Sequence, residues 1–327
     1  MNSRGRAGIR LRQLALCWCL LHGSAASGAE PCGLGLRAPL EGPGERPRQE
    51  HDLRFVIPLD DARYRAFDNV GAIFVPTPMS RGELRKTGSG TLVDACHVLT
   101  AYHVVFPEID LVNARPRVFQ FDPQRVVSFR FGQRSARTQG ESEFAHVIEG
   151  RPLDLGIFDP FTPNYADELL LVRLNRSAPA HYPRLRLDGD VDYVPGRANF
   201  IAAGFPVDGM SPAGDYRLYG DRCAIMGPDR ISGYATNCSL TAGVSGGALF
   251  RVTEDAACEQ PVELRLAGVP NQQDGPGLFA KHHPKRRSFV VPIARNRALL
   301  ERALARSPCP AAEPEAEAAE RNGETPP

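Results

Sequence analysis

Between Asn69 and Ile293 the apolar residues come in short runs, each closed off by glycine, proline or polar residues. Eight runs have the length and residue types of strands: 69–75, 90–93, 126–131, 169–172, 199–203, 248–252, 262–267 and 288–293. Their β-branched and aromatic side chains suit a pleated surface. Helical periodicity shows in residues 294–305, where Leu299, Leu300 and Leu304 fall on one face. The 31 glycines and 29 prolines in 327 residues supply turn formers for many connections. Many short strands closed by one C-terminal helix imply an all-β fold of barrel type. No internal repeat is visible.

The N-terminus reads differently. Arg4, Arg6, Arg10 and Arg12 precede the apolar run 14–21, and small residues follow at 24–29. Basic, then apolar, then small is the order of a secretory signal peptide, here residues 1–28. The apolar run is far shorter than the ~20 residues that span a bilayer; a short membrane anchor is the alternative. Removing the leader leaves 35 basic and 38 acidic residues, net charge −3, which gives no reason to expect a nucleic-acid partner. The basic cluster Lys281–Arg287 reads as a solvated loop. Residues 29–50 form an irregular arm, 51–308 the folded domain and 309–327 a disordered acidic tail, with five glutamates against one arginine from Ala311 onward.

Of eight cysteines, Cys17 and Cys19 leave with the leader. The remaining Cys32, Cys96, Cys223, Cys238, Cys258 and Cys309 form an even set in an exported chain, which points to disulfides. None makes a Cys-x-x-Cys pair, so no structural zinc, other metal or cofactor is expected. Six cysteines allow about 15 pairings, and spacing alone does not choose among them.

Two segments carry the chemistry. Leu99-Thr-Ala-Tyr-His103-Val-Val places a histidine just after an apolar strand, and Thr241-Ala-Gly-Val-Ser245-Gly-Gly-Ala-Leu places a serine among glycines. A serine becomes a competent nucleophile when a base takes its proton, and a glycine two residues before it lets backbone N–H groups approach a developing oxyanion. Both segments resemble the histidine and serine motifs of trypsin-like (chymotrypsin-fold) serine proteases. Gly88-Ser-Gly-Thr-Leu-Val93 resembles the strand that precedes the histidine, and Ala202-Ala-Gly-Phe205 the central-strand glycine segment. The resemblance spans about Val70 to Ala305. It implies two six-stranded antiparallel β-barrels with the site between them, His103 as general base, Ser245 as nucleophile, and the N–H groups of Gly243 and Ser245 as oxyanion hole.

The third residue of the triad is less plain. The family pattern, an aspartate before an apolar strand, matches Asp167-Glu168-Leu-Leu-Leu-Val-Arg-Leu174. Read without a gap, Glu168 takes the aspartate's place. Residue type favours Asp167, and a shifted strand start after the loop 162–166 could absorb the extra residue. Asp167 is the expectation and Glu168 the alternative; Asp154 and Asp159 lack the following strand.

The chain also departs from the family. Val244 stands where digestive members carry the aspartate that pairs with a new N-terminus, and no Ile-Val-Gly-Gly follows the leader. The resemblance therefore shifts to bacterial exported members, whose sites form without that step. No cysteine follows His103. The residue six before the nucleophile is Ser239, so preference for Lys or Arg has no support; the strand 266–269 is expected to form the pocket wall. Cys223 and Cys238 flank a Gly-rich loop just upstream of the serine turn, and similar bacterial proteases carry a comparable disulfide there. Cys32, Cys96, Cys258 and Cys309 stay unassigned.

The reading is an exported (periplasmic or secreted) monomeric serine endopeptidase acting on polypeptides. Alternatives are a catalytically silent homologue that binds peptides and an esterase with the same triad. Gly243–Gly247 also fits the G-x-S-x-G elbow of α/β-hydrolases, with His282, His283 and Asp274 downstream, but that elbow needs a helix after the serine, and 248–252 reads as a strand.

Overall fold

Gly71 and Gly90 face each other across the first hairpin because aromatic and aliphatic side chains need the space that a Cβ would take. A Cβ on Gly71 would lie 2.5 Å from the Phe129 ring, and one on Gly90 would lie 2.7 Å from Val98. A computed structural model describes residues 54–57, 62–76, 82–106, 121–133, 144–157, 167–189, 195–196, 199–207, 216–229, 233–253, 263–273 and 288–310. The leader, the arm at 29–50, Cys32, Cys258, Asp159, Asp274, His282, His283 and the cluster 281–287 lie outside these residues.

A two-residue strand β1 (Phe55–Val56) comes first. Six strands then close into an antiparallel barrel: β2 (Val70–Pro76), β3 (Leu84–Leu92), β4 (His97–Ala101), β5 (Val127–Gln133), β6 (Phe144–Leu153) and β7 (Leu169–Leu174), in the order β2-β3-β4-β7-β6-β5. Closure leaves none of these six with an unpaired edge. Ile73, Val98, Phe129, Leu171 and Val172 are buried in or around it.

The second half is a nine-stranded sheet built from β1, β8 (Arg186–Leu187), β9 (Phe200–Gly204), β10 (Tyr219–Cys223), β11 (Ile225–Asp229), β12 (Gly233–Thr236), β13 (Ala248–Thr253), β14 (Glu263–Gln273) and β15 (Ser288–Pro292). Its order is β1-β10-β9-β13-β14-β15-β12-β11, with β8 pairing β14. The all-β fold with a terminal helix is as expected. In the second half the strands form this nine-stranded sheet, whose end strands β1 and β11 do not pair with each other among the described residues. Neighbouring residues on it serve two cores, as strand alternation requires. Ile201, Ala203, Phe250 and Val291 join the core shared with the first barrel. Phe200, Ala202, Leu249 and Val290 form a second core with Cys223, Cys238 and Val244.

Helix α2 (Ile293–Arg306) follows β15 directly and buries Ile293 and Leu300. Beyond it, Cys309 forms a disulfide with Cys96 at the start of the β4 hairpin, with Cα atoms 5.4 Å apart. This settles one pairing that spacing left open, and it corrects the tail boundary: Cys309 belongs to the folded domain. Cys223 and Cys238 form the other disulfide among the described residues, Cα atoms 4.9 Å apart. No helix among the described residues is long and apolar enough to cross a membrane.

Candidate active site

β4 and β7 run antiparallel with Ala101 opposite Leu169. One step further, Tyr102 N–H donates to the Glu168 carbonyl at 3.3 Å. The chain then turns into the four-residue helix α1 (Tyr102–Val105), anchored by the fully buried Val104 and Val105. His103, just before them, stays 30% exposed. Its Nδ1–H donates to Glu168 Oε1 at 2.6 Å, and its main-chain N–H donates to the same oxygen at 2.9 Å. The Glu168 side chain is 1% exposed. Placing the proton on Nδ1 leaves Nε2 as the basic nitrogen of the ring.

Asp167, the expected acid, is turned toward helix α2. It lies on the outer side, with Arg295 Nε of α2 at 3.3 Å from Oδ1. Asp167 and Glu168 both precede β7, and their side chains diverge there: Glu168, the alternative, is the carboxylate on His103, while Asp167, the expected one, is on Arg295. Asp154 instead accepts the N–H of Gly156 at 2.8 Å.

The serine turn is held from both halves of the molecule. Gly243 and Gly246 have φ of 94° and 82°, a left-handed backbone that glycine adopts without steric cost. A Cβ on Gly246 would lie 2.2 Å from Ser89 O and 2.2 Å from Thr100 Oγ1, so the turn packs directly on the strand that leads to His103. Ser89 N–H donates to Ser245 O at 2.8 Å. The structure thus brings the two motifs together across the junction of barrel and sheet. Ser245 Oγ donates to Asn271 O at 2.7 Å; presenting that proton to an imidazole requires the hydroxyl to give up this bond.

The N–H groups of this turn divide into two sets. Val244 donates to Thr241 O at 3.1 Å, Gly246 to Pro270 O at 2.7 Å and Gly247 to Val244 O at 3.0 Å. Those of Gly243 and Ser245 have no partner among the described residues. Ala242 O accepts from Val207 N–H at 2.8 Å, and Val244 O from Gly247. Because these peptides are trans, the N–H groups of Gly243 and Ser245 point away from those fixed carbonyls. Two adjacent, unspent donors beside a serine are what a developing oxyanion needs.

Around the turn, Val244 is buried at 4% exposure in the second core. Lys86 Nζ donates to Phe205 O and sits 5.4 Å from the centre of the Tyr216 ring. Ser239 is buried, and its N–H donates to the carboxylate of the equally buried Asp221 on β10. Sequence reasoning missed Asp221, because nothing local to Tyr219–Cys223 marks it; only the pairing of β10 with β9 brings it beneath the serine loop.

Among the described residues, Asp94, Cys96, His97 and Cys309 bring potential metal-ligand atoms within 4.8 Å of one another. Both sulfurs are consumed in the disulfide. The Asp94 carboxylate accepts from His97 Nδ1 and from the N–H groups of Cys96 and His97, each at 2.9 Å. The cluster is accounted for as a capped turn.

No protein-family model and no curated protein matches the chain in sequence. Among solved structures it is similar to neuropsin, a serine protease expressed in the limbic system of mouse brain, at 17% identity and a TM-score of 0.48, over 73% of this chain and 96% of that one.

Proposed function

We propose that the chain is a serine endopeptidase in which Ser245 attacks the substrate carbonyl, His103 takes and returns the proton, and Glu168 holds the imidazole. The observation that carries this reading is the 2.6 Å bond from His103 Nδ1–H to the buried Glu168 carboxylate, on an imidazole two residues past the strand that supports the serine turn. A buried carboxylate in this place fixes the tautomer and stabilises the imidazolium formed as serine loses its proton. The tetrahedral oxygen would be received by the N–H groups of Gly243 and Ser245. Proton transfer then runs from Ser245 Oγ to His103 Nε2, and from there to the leaving amine as the C–N bond breaks; water repeats the sequence on the acyl-enzyme.

An extended polypeptide is the substrate class proposed for the partly exposed imidazole beside the serine turn; the strand at 266–269, expected to form the pocket wall, is buried and already paired with β13 on one side and β15 on the other, so it offers no free edge to a substrate. We further propose export, supported by the leader-like N-terminus and the two disulfides. The test is labelling by a fluorophosphonate together with cleavage of a peptide library. Labelling at Ser245 with peptide cleavage supports the endopeptidase. Labelling with ester hydrolysis alone would make it an esterase, and no labelling would leave a peptide-binding module.

A further inference from the structure

Proteases that mature by N-terminal insertion need the aspartate before the nucleophile to assemble the oxyanion turn, and this chain has a buried valine there. Something else must hold the turn. We infer that Ser89, on β3 of the first barrel, is the positioning residue that locks the oxyanion hole of the second half. This inference rests on the serine-hydrolase reading above.

Ser89 is fully buried. Its Oγ–H donates to Gly243 O at 2.7 Å, and the same oxygen accepts the N–H of Phe205 at 2.9 Å. Its main-chain N–H donates to Ser245 O at 2.8 Å, and its main-chain O accepts from Thr100 Oγ1 at 2.8 Å. One residue thereby fixes the carbonyls of both proposed oxyanion donors, Gly243 and Ser245. The Gly243–Val244 peptide is held at both ends, by Ser89 Oγ at the carbonyl and by Thr241 O at the N–H. The Ala242–Gly243 peptide, which carries the first donor, is braced by Val207 N–H two residues beyond Phe205. The hydroxyl therefore joins the two braces of the turn through the Phe205–Val207 segment.

The site leaves no room for a looser arrangement. A Cβ on Gly204 would come within 3.1 Å of Ser89 Oγ, and one on Gly243 would come within 2.7 Å of Phe205 O. Replacing the hydroxyl by hydrogen frees Gly243 O and Phe205 N–H together, and the peptide that orients the oxyanion donors can then rotate. Such a change weakens transition-state binding more than substrate binding.

The experiment compares the mature protein with Ser89→Ala, with rates expressed per active site titrated by a fluorophosphonate. In Ser89→Ala, kcat per site should fall at least ~10-fold with KM within about two-fold, the signature of an interaction lost in the transition state. Affinity for a peptidyl boronate should fall by the same factor as kcat/KM, while affinity for a cleaved product peptide stays unchanged. The acid limb of the pH–rate profile should not move, because His103 and Glu168 are untouched. Ser89→Thr, which keeps the oxygen, should recover kcat to within about three-fold. If Ser89→Ala does not fold, Ser89→Cys gives the same comparison with a weak donor in place of a strong one.

Unchanged kcat per site and unchanged boronate affinity would overturn the role of Ser89 and leave the hydrolase reading standing. Loss of titratable sites at constant kcat per site would show that Ser89 serves folding alone, and would overturn it too. A parent protein inert to fluorophosphonate and peptides would defeat the hydrolase reading, and this one with it.

Discussion

Glu168 Oε1 accepts two hydrogen bonds from one residue, His103 Nδ1–H at 2.6 Å and His103 main-chain N–H at 2.9 Å. The carboxylate therefore fixes the imidazole and the start of the helix that carries it. In Glu168→Gln, the amide can turn its N–H₂ toward Nδ1 and impose the wrong tautomer. Turnover should fall by about 10³–10⁴-fold. Asp167→Asn, which weakens the ion pair with the half-exposed Arg295, should leave kcat/KM within about two-fold, as such pairs contribute little. The check is steady-state kinetics on both variants. A large loss in Asp167→Asn with none in Glu168→Gln would reverse the assignment.

Ser245→Ala should abolish peptide hydrolysis and fluorophosphonate labelling with little effect on unfolding. The hydroxyl's bond to Asn271 O is the structural loss. A neutral hydrogen bond is worth about 1 kcal/mol, which for a domain of this size shifts Tm by only about 2–4 °C. Calorimetry beside an activity assay separates the two effects. Retained hydrolysis would remove Ser245 as nucleophile.

Gly243→Ala should cost both stability and rate. Its φ of 94° disfavours any side chain, and the new Cβ would lie 2.7 Å from Phe205 O and 3.0 Å from Val207 N. The left-handed strain alone is about 1–2 kcal/mol. Relief by moving the turn would misplace an oxyanion donor, at a loss of ~10²–10³-fold in kcat. A variant with normal kcat would show that the Gly243 N–H takes no part.

Much of this was legible in the chain because both motifs are short and local. Leu99–Val105 and Thr241–Leu249 announce a histidine at the end of an apolar strand and a glycine-rich turn whatever surrounds them. The carboxylate partner of His103 was not legible by residue type, since Asp167 and Glu168 are both carboxylates and only the folded chain just before β7 turns Glu168 toward the histidine. β6 escaped notice because its outward positions carry Glu149 and Arg151 and break up the apolar run. β11 contains Gly227 and Pro228, which read as a turn until β12 is seen beside it. Ser89 and Asp221 gave no signal, because their roles depend on partners more than 100 and 15 positions away in sequence.

The Cys96–Cys309 disulfide closes a loop of 213 residues. In the chain-entropy picture a loop of that length is worth about 5 kcal/mol, an upper figure for what its loss costs. Paired Cys96→Ser and Cys309→Ser substitutions should lower the urea midpoint clearly and fray the end of α2, where Arg173 also holds Pro308 O at 3.0 Å. Activity below the midpoint should persist, because neither cysteine touches the serine turn. Equal midpoints with and without the disulfide would show that α2 is held by packing of Ile293 and Leu300 alone.

The same corner sets a pH dependence. Burial pushes the Asp94 carboxyl up, but the side-chain bond from His97 and the N–H groups of Cys96 and His97 outweigh it and hold its pKa below the ordinary carboxylate value. A depressed folded-state pKa means that the unfolded chain binds the proton first as pH falls. The stability contributed by Asp94 is therefore fully present above its unfolded pKa of about 3.9 and is lost as pH drops through the lower folded value. Asp94→Asn removes that linkage while keeping the shape of the turn. Urea unfolding of parent and variant at neutral pH should show the parent more stable, by roughly 1–2 kcal/mol for charge-assisted bonds at a half-buried site. The gap should close as the pH is lowered below about 4. A gap that stays constant from neutral to strongly acid conditions would mean that the Asp94 carboxylate contributes no charge to the turn that carries Cys96.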